Sequence, residues 1–484
     1  MPHPVSRTRW WRLLGKTRRV HFIGVGGIGM SGIAELLVNL GYRVSGSDAR
    51  RTELTDRLEH LGITVHAGHA ASHVGDADVV VYSSAIRSDN PEMAEARQRH
   101  IPVIPRAEML AELMRLRSGI AVAGAHGKTS TTSMVALVLE QAGLDPTAVI
   151  GGKLSAFGSN ARLGRGEWMV VEADESDRSF LRLSPTLAVI TNIDREHMEA
   201  YGSYAELESA FVEFAGKVPF YGAVIACADD APLRAILPRF TRRTVTYAID
   251  HTDAQLVATD VTLEGFGSRC RVVRQAAHRS GTAEILGTLH LQVPGRHSVL
   301  NALAAVAVAL ELEVPFPRIA EALAEFRGAD RRFQRVGEVN GVVVVDDYGH
   351  HPTEIAAVLA AARAAQPARV VLAFQPHRYT RTRDLMPEFA QTLAEADEVV
   401  LTDIYPAGEA PIAGVTIEAL ADAVARQRGT SVQVVPELSA LPLAVARLAR
   451  PGDLVITLGA GSIGGTAARI VAALSARAAD GGTA

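Results

Sequence analysis

Three segments of this 484-residue chain share one pattern: an apolar run, a turn that contains glycine, and a run with helical periodicity. They begin at "RVHFIGVGGIGMSG", "GIAVAGAHGKTSTT" and "GVVVVDDYGHHPTEI". Alternation of strands and helices predicts helices packed on parallel sheets. A chain of this length also exceeds what one hydrophobic core supports. The sequence therefore predicts an α/β protein of several domains.

Between these segments, smaller features indicate local structure. The first glycine turn predicts a helix from about Ser31 to Leu40, followed by a strand that ends at Asp48. The run "RAEMLAELMRLRSG" predicts a helix that ends in a connector near Ser118 and Gly119. Alternating stretches between residues 254 and 293, such as "QLVATDVTL", predict an antiparallel edge or an insert.

Composition excludes several classes of protein. The formal net charge is −4 with mixed signs along the chain, which gives no basic footprint for a nucleic-acid partner. Only Cys227 and Cys270 are present, which excludes a disulfide framework and a cysteine-rich zinc site. The apolar runs are shorter than a membrane span requires. We therefore expect a cytoplasmic protein without a membrane anchor.

The first nineteen residues form a basic arm that contains no acidic residue. Basic residues interrupt "WWRLLGKTRRV", so the arm lacks the continuous apolar run of a signal peptide. We expect a loose arm in which Trp10 and Trp11 pack on the body of the protein.

The stretch "GAHGKT" ends like a phosphate-binding loop but is too short at its start. A Walker loop would need glycine at position 122, which holds Val122. Gly124, Gly127, Lys128 and Thr129 nevertheless join a strand to a helix, so backbone N–H groups can hold phosphate oxygens. Lys128 would then bridge the terminal phosphates and Thr129 would hold magnesium. A capped turn without a ligand is the alternative.

Two acidic loops follow later strands of the same segment. "VEADESD" and "TNIDREHM" supply Glu172, Asp174, Glu175, Asp177, Asn192, Asp194, Glu196 and His197. Carboxylates and an imidazole beside a phosphate loop predict a magnesium shell, although histidine is an uncommon ligand for so hard an ion. Two solvated acidic loops with a structural histidine are the alternative.

Two glycine patterns resemble dinucleotide fingerprints. "GVGGIGMSG" follows a strand, and Asp48 lies nineteen residues after Gly29. Alone it would indicate an NAD-dependent oxidoreductase, but it does not distinguish NAD from a UDP-sugar. "GAGSIGG", from Gly459 to Gly464, favours tight packing between a strand and a helix over ligand binding.

The third segment carries a dense polar cluster. It comprises Arg331, Arg332, Asp346, Asp347, Tyr348, His350, His351, His377, Arg378 and Arg381. Arginine binds carboxylates and phosphates in a bidentate manner, and histidine relays protons near neutral pH. The cluster predicts an anion-binding site, with ordinary solvated strand ends as the alternative.

Nine separated motifs occur in an order that resembles the Mur ligase family: "GVGGIGMSG", "GAHGKTSTT", "EADESD", "TNIDREHM", "PGRHSVLNA", "RRFQ", "DDYGHHPTEI", "QPHRYTR" and "DIYPAGE". The resemblance implies a Rossmann-like UDP-sugar-binding domain at 1–117, which includes the basic arm 1–19. It further implies a central P-loop-type ATPase α/β domain at 118–326 and a C-terminal Rossmann-like α/β domain at 327–484. The family's shortened G-x-x-G-K-[ST] loop matches "GAHGKT".

Within the family, the motifs are most similar to ligases that act in peptidoglycan synthesis on UDP-N-acetylmuramate and L-alanine. The resemblance implies ATP and Mg²⁺ as cofactors and an acyl-phosphate intermediate on the lactyl carboxylate. We expect a monomer or a weak homodimer.

Motif matches imply the site residues. The implied catalytic residues are Lys128, His197, Arg331, Arg332, His350, His377, Arg378 and Arg381. The implied ATP-binding residues are Gly124, Ala125, His126, Gly127, Lys128, Thr129, Ser130, Asn192, Asn301 and Asp346. The implied UDP-sugar-binding residues are Gly24, Gly26, Gly27, Ile28, Gly29, Asp48, His69, Ser83 and Ser84. The implied metal ligands are Thr129, Glu172 and His197.

Departures from the family pattern are mild: Ala125, Glu196 and Ser298 stand where Thr, Asp and Asn are usual. "DESDRSFLRL" contains no lysine, which argues against a relative that recycles a ready-made peptide onto the same sugar nucleotide. That recycling ligase is the main alternative. A catalytically inactive binding protein would be expected to have lost Lys128, Glu172 or His197, and all three are present.

Overall fold

The computed structural model describes residues 14–83, 85–154, 159–276 and 282–481. The basic arm up to residue 13, with Trp10 and Trp11, and the predicted UDP-site residue Ser84 lie outside these ranges. Backbone proximity divides the chain into two compact units. One comprises residues 1–259, 271–288 and 300–323, and the other comprises residues 260–270, 289–299 and 324–484.

A five-stranded parallel sheet, in the order β3-β2-β1-β4-β5, lies at the start of the chain. Its elements are β1 (Arg19–Ile23), α1 (Ile28–Asn39), β2 (Arg43–Asp48), α2 (Glu53–His60), β3 (Thr64–Ala67), β4 (Val79–Tyr82), α3 (Pro91–Gln98), β5 (Val103–Pro105) and α4 (Arg106–Met114). Helix α1 begins three residues before the predicted start at Ser31, because Gly27 at the end of the glycine turn already serves as its N-cap.

A ten-stranded sheet follows, in the order β15-β14-β13-β12-β11-β10-β6-β9-β7-β8. Its elements are β6 (Ser118–Ala123), α5 (Lys128–Gln141), β7 (Thr147–Leu154), β8 (Ser159–Arg162), β9 (Trp168–Glu172), β10 (Leu187–Ile190), α6 (Tyr204–Gly216), β11 (Ala223–Cys227), α7 (Ala231–Ile236), β12 (Thr244–Ala248), β13 (Leu256–Glu264), β14 (Gly267–Arg274), β15 (Glu284–Leu291), α8 (Arg296–Glu311) and α9 (Phe316–Ala324). Strand β6 lies between β9 and β10 and is parallel to both.

The structure contradicts one expectation for this segment and bears out another. The predicted connector at Ser118 and Gly119 is wrong, because both residues belong to β6 and pair with Trp168 and Met169 of β9. Gly119 fits there because a Cβ atom would lie 2.7 Å from the side chain of Met114. The expected edge between residues 254 and 293 is present as β13, β14 and β15 at one end of the sheet.

A six-stranded sheet ends the chain, in the order β16-β17-β21-β18-β19-β20. Its elements are β16 (Gln334–Val339), β17 (Val342–Asp347), α10 (Pro352–Ala364), β18 (Arg369–Phe374), α11 (Tyr379–Asp384), α12 (Met386–Leu393), β19 (Glu398–Leu401), α13 (Ile417–Arg428), β20 (Gln433–Val434), α14 (Leu441–Leu448), β21 (Asp453–Leu458) and α15 (Thr466–Gly481). The last strand, β21, is inserted between β17 and β18 and is parallel to both.

Helices cover both faces of this sheet. Along β21, Leu454, Ile456 and Leu458 pack into one buried apolar cluster, and Val455 packs into a second. The alternation follows the period of two in a strand that is buried on both sides. The three sheets with their helices confirm the predicted three-domain α/β fold. In the described ranges, every helix is too short or too polar to cross a membrane.

Candidate active site

The phosphate-type loop joins β6 to α5 and depends on two glycines. Gly124 has φ +132° and Gly127, the N-cap of α5, has φ +81°. Side chains at these positions would collide with the hydroxyl of Thr191 and, at 2.6 Å, with Oδ1 of Asn301. The loop therefore needs glycine for both its conformation and its close neighbours. Asn301 is buried, and its Oδ1 accepts a hydrogen bond from Thr131 Oγ1 at 3.1 Å.

Residues that follow β10 fix the shape of the loop. The His126 N–H donates to Asn192 Oδ1 at 2.8 Å, and Asn192 Nδ2 donates to the His126 carbonyl at 3.0 Å. Thr191 Oγ1 donates to the same carbonyl at 2.6 Å. The His126 ring contacts Asp194 Oδ2 through Nε2 at 2.7 Å. Asn192 thus supports the phosphate loop in this structure.

Lys128, at the first position of α5, is held over the loop. Its Nζ donates to the carbonyls of Gly124 and Ala125 at 2.6 and 3.1 Å, and to both carboxylate oxygens of Glu175 at 2.8 Å. Burial alone would lower the pKa of the Lys128 ammonium, but the charges of Glu175 and Asp174 outweigh burial and raise that pKa above its ordinary value. The lysine therefore stays charged at the mouth of the loop.

Three potential metal ligands converge beside this lysine. One ligand atom each from Glu175, Glu196 and His197 lies within 4.8 Å of the others. Two carboxylates and one imidazole form a donor set that suits a divalent cation. Of the predicted ligands, this group contains His197. Thr129 is buried at the start of α5, and the Glu172 carboxylate accepts the Gly151 N–H at 2.8 Å.

The N-terminal glycine loop lies between β1 and α1. The N–H groups of Gly24 and Val25 donate to the Ser47 carbonyl at 2.8 and 3.0 Å, and Gly26 N–H donates to Asp48 Oδ2 at 2.9 Å. A Cβ atom on Gly26 would lie 2.8 Å from that oxygen. Asp48, a predicted UDP-sugar-binding residue, therefore closes the glycine turn in this structure. Gly27 and Ile28 start α1, which leaves a helix N-terminus suited to an anion.

In the described ranges, the remaining predicted UDP-site residues are His69 and Ser83, which lie at the same edge of the sheet. His69 follows β3, and its Nδ1 contacts Glu92 Oε1 at 3.0 Å. Ser83 follows β4, and its N–H donates to the Ile23 carbonyl at 3.2 Å. Parallel strands present their carboxyl ends at one edge, which is where ligands of open α/β sheets bind.

In the second unit, the partly buried guanidinium of Arg331 pairs with the buried carboxylate of Asp346. Arg331 Nε lies 2.8 Å from Asp346 Oδ2, and Arg331 Nη2 donates to the Gly459 carbonyl at 2.6 Å. The guanidinium groups of Arg331 and Arg332 each lie 5.2 Å from the ring centroid of Tyr348. Arg331, a predicted catalytic residue, and Asp346, a predicted ATP-binding residue, thus bind each other.

Burial affects the neighbouring carboxylate of Asp347. Burial raises the pKa of Asp347 to about 6, although its oxygens accept the N–H groups of Phe333 and Gly349 at 2.6 and 2.7 Å. Asp347 therefore anchors the turn after β17.

The histidines and arginines that follow β17 and β18 lie together. The rings of His350 and His377 are 5.5 Å apart, and His377 stacks on Tyr405 at 5.7 Å. Arg381 Nη1 lies 3.2 Å from His377 Nδ1, and Arg378 N–H donates to the Tyr405 carbonyl at 2.8 Å. The structure thus brings these predicted site residues together beside the ring of Tyr405.

Backbone strain coincides with three predicted site residues. His197, Arg331 and Arg378 have φ values of +55°, +57° and +70°. Such conformations are uncommon for residues with a side chain and concentrate at functional sites.

The second glycine pattern fits the packing interpretation. A Cβ atom on Gly459 would lie 2.7 Å from the Gln375 carbonyl, and one on Gly464 would lie 2.8 Å from Arg331 Nη1. These glycines let β21 and the following turn approach their neighbours closely.

Family models match three consecutive parts of the chain: the Mur ligase family catalytic domain at residues 19–118, the Mur ligase middle domain at 122–309, and the Mur ligase glutamate ligase domain at 331–461. The chain belongs to the Mur ligase family. The matches extend over all three sheets of this Mur ligase and confirm the resemblance found in its motifs.

Similar proteins match this Mur ligase over nearly its full length. UDP-N-acetylmuramate–L-alanine ligases from Geobacter sp. strain M21 and Myxococcus xanthus are 54% and 55% identical, over 93% of this chain and 96% and 94% of theirs. The crystal structure of UDP-N-acetylmuramate-alanine ligase MurC from Thermotoga maritima matches with TM-score 0.79 and 31% identity, over 95% of this chain and 99% of that one. A murein peptide ligase from Psychrobacter arcticus, with TM-score 0.69 and 24% identity over 94% and 98% of the chains, shares the fold.

Several residues of this Mur ligase site were not assigned from the sequence. Glu175 and Glu196 belong to the acidic loops predicted to form a magnesium shell but were not among the three ligands implied by motif matches, and Tyr405 lies in a motif whose role was left open. Arg106 carried no motif signal, yet its Nη2 lies 3.3 Å from Asp174 Oδ2, and its guanidinium abuts Gly29. The one sequence feature that could have indicated Arg106 is its place as a basic residue at the first position of α4, close to the edge where the strands end.

Proposed function

We propose that this Mur ligase joins L-alanine to UDP-N-acetylmuramate at the expense of ATP, as a step of peptidoglycan precursor synthesis. The observation that carries this conclusion is the 54–55% identity to ligases of that name over 93% of the chain. The peptide-recycling alternative is disfavoured, because the murein peptide ligase shares less identity, at 24%, and "EADESD" has no lysine after it.

The chemistry proceeds in two steps. A carboxylate is a poor electrophile, so a lactyl carboxylate oxygen first attacks the γ-phosphorus of ATP, and the bond from that phosphorus to ADP breaks. The amine of L-alanine then attacks the acyl carbon, a tetrahedral intermediate forms, and phosphate leaves as the amine loses its proton. The products are an amide, ADP and phosphate.

We assign the first step to the central domain. The N–H groups of Gly124 to Gly127 and the N-terminus of α5 would hold the phosphates, and Lys128 would stabilise charge on the γ-phosphoryl group. Glu175, Glu196 and His197 would hold Mg²⁺, with the motif-derived set of Thr129, Glu172 and His197 as the alternative. When bound, the ion neutralises charge on the phosphate oxygens.

We assign the other substrates to the remaining domains. The loop Gly24–Gly29, with Asp48, His69 and Ser83, would bind the UDP group. The cluster of His350, His377, Arg378 and Arg381 would orient the carboxylate of L-alanine, since arginine forks match carboxylate geometry. We retain domain boundaries at 1–117, 118–326 and 327–484, which β6, beginning at Ser118, and α9, ending at Ala324, support.

Phosphate release tests the function directly. The purified chain is incubated with ATP, Mg²⁺ and UDP-N-acetylmuramate, and with L-alanine, glycine, L-serine or the tripeptide. Release that requires both the sugar nucleotide and L-alanine is the expected result. Release with only the tripeptide would instead identify the recycling reaction.

A further inference from the structure

A buried hydrogen-bond network lies beneath the N-terminal glycine loop. Its centre is Glu92, in the first turn of α3, whose side chain is fully buried. His21 Nε2 and Ser47 Oγ approach Glu92 Oε2 at 2.6 and 2.8 Å, and His69 Nδ1 approaches Oε1 at 3.0 Å. These partners come from the middle of β1, from the end of β2 and from the turn after β3, so Glu92 links three neighbouring strands to one helix.

Glu92 is held in its ionised form by its surroundings. Burial acts to raise the pKa of its carboxyl group, but the hydrogen bonds from His21 and Ser47 outweigh burial and lower that pKa. A buried charge is tolerated only when it is paired and hydrogen-bonded. The N-terminus of α3 supplies a further favourable field.

The carboxylate decides which nitrogen of His69 carries the proton. A bare Nδ1 lone pair 3.0 Å from a carboxylate oxygen would be repelled, whereas an N–H at that position donates a hydrogen bond. Ser47 Oγ, 3.0 Å from the same nitrogen, gives its own proton to Glu92 and can only accept from His69. In the neutral ring Nδ1 is therefore protonated.

The other nitrogen of His69 is left for a ligand. Its side chain is 22% exposed, and Nε2 makes no hydrogen bond to any residue in the described ranges. The Ser47 carbonyl meanwhile accepts from the N–H groups of Gly24 and Val25, so the same residue contacts both Glu92 and the glycine loop.

We propose that Glu92 is a positioning residue for nucleotide recognition: it fixes the His69 ring and tautomer so that Nε2 accepts a hydrogen bond from an N–H or O–H group of the uridine. This inference rests on the proposed function, because it takes UDP as the ligand of the glycine loop. Glu92 itself touches no substrate in this account and acts through His69.

The neighbouring histidines surround Glu92 without taking the same role. His21 is fully buried and is held at Nδ1 by Ser45 Oγ at 2.9 Å. His73 Nδ1 lies farther from Glu92, at 3.9 Å, and its ring stacks on His66 at 4.3 Å. His69 alone among the four both contacts Glu92 within 3.0 Å and remains partly exposed.

Calorimetric titration of UDP into the full chain tests the coupling in a double-mutant cycle. His69→Gln and Glu92→Gln are each expected to weaken UDP binding by about tenfold, the effect of one lost hydrogen bond. In the His69→Gln background, Glu92→Gln is expected to change the affinity by less than about twofold, because its effect passes through His69. Glu95→Gln, in the same helix but partly exposed, is the matched control and should leave affinity unchanged.

Nitrogen-15 NMR of the wild-type chain provides a test that needs no stable Glu92 variant. The ring-nitrogen signals of His69 are assigned by their absence from the spectrum of His69→Gln. In the wild-type chain they should show the Nδ1-protonated tautomer. The Nε2-protonated tautomer, or additive effects in the cycle, would overturn the inference while leaving UDP binding intact. Failure of the wild-type chain to bind UDP would overturn the proposed nucleotide site and this inference together.

Discussion

Lys128 and Glu175 form a bidentate contact in which Nζ lies 2.8 Å from each carboxylate oxygen. In the ATP site proposed above, this carboxylate lies where Lys128 would contact a terminal phosphate. Both side chains are largely buried, at 15% and 3% exposure. Under the assignment proposed above, ATP would displace Glu175 from Lys128, and that carboxylate would then be available to a cation beside Glu196 and His197.

Replacement of Lys128 should separate ATP use from UDP binding. We expect Lys128→Ala to lower phosphate release at least about 100-fold, since it removes a preorganised charge at the γ-phosphate. The affinity for UDP should change by less than about twofold, because the proposed UDP site lies at the N-terminal sheet and Lys128 lies at the central sheet. Lys217→Ala, which removes a half-exposed lysine paired with Glu213, is the control. Loss of both activities in Lys128→Ala would contradict the domain assignment.

The candidate cation group predicts a selective metal defect. We expect His197→Ala to raise the Mg²⁺ concentration for half-maximal phosphate release about tenfold or more, because a ligand is lost. The check is a Mg²⁺ titration at saturating substrates, with Mn²⁺ binding followed by electron paramagnetic resonance. His60→Ala serves as the control, since His60 ends helix α2, which lies between strands of the N-terminal sheet and not of the central sheet. An unchanged Mg²⁺ requirement would remove His197 from the site.

His297 should make the protein less stable in mild acid. Burial lowers its pKa to about 4, and the positive charge of Arg332 acts in the same direction. Between pH 6.5 and about 4, this histidine is protonated in the unfolded chain but neutral in the folded chain. The free energy of unfolding is therefore highest above pH 6.5 and falls by about 3 kcal/mol as the pH drops through this range. Urea unfolding of the wild type and His297→Gln should diverge in favour of the variant as the pH falls from 7 to 5. Parallel curves would refute the assignment.

The Arg331–Asp346 pair should matter for stability as well as for catalysis. Arg331→Ala leaves the buried Asp346 carboxylate with the hydrogen bond from Thr457 but without its ionic partner, which costs about 3 kcal/mol. Thermal unfolding should show a large fall in Tm for this variant. Arg335→Ala, whose half-exposed side chain pairs with Glu338, should shift Tm little. Equal shifts for the two variants would show that the pair is energetically unimportant.

The two cysteines should be unreactive in the native protein. Both are buried, and burial raises the pKa of Cys227 to about 12 and that of Cys270 to about 11. Thiolates are the reactive species, so Ellman's reagent should label neither residue at pH 8 until urea is added. Rapid labelling without denaturant would contradict this packing.

Local chemistry explains which features could be predicted from the sequence. The strand, glycine turn and helix around Gly124 and Lys128 are encoded within a dozen residues, and so are the strands with polar ends. The contact of Lys128 with Glu175 is different, because it depends on β6 lying between β9 and β10. Strand order is set by the whole sheet, so a single sequence gives no direct signal for it.

The same reason accounts for the other unassigned contacts. Arg331 meets Gly459 across 128 residues, and Glu92 meets His21 across 71. The local sequence around Arg331 or Glu92 does not indicate which residue each will contact, because the topology of its sheet brings the partner close. Asp48 was recognised from its spacing, but its bond to Gly26 depends on the tight turn above it.

The insertion of β21 between β17 and β18 has a consequence for synthesis of the chain. Because β21 is synthesised after the other five strands of this sheet, β17 and β18 have no common neighbour until residue 458 has been made. A chain that stops before residue 453 would leave β17 and β18 with bare edges in the middle of the sheet. We therefore expect products truncated before β21 to expose these strand edges and to aggregate or be degraded.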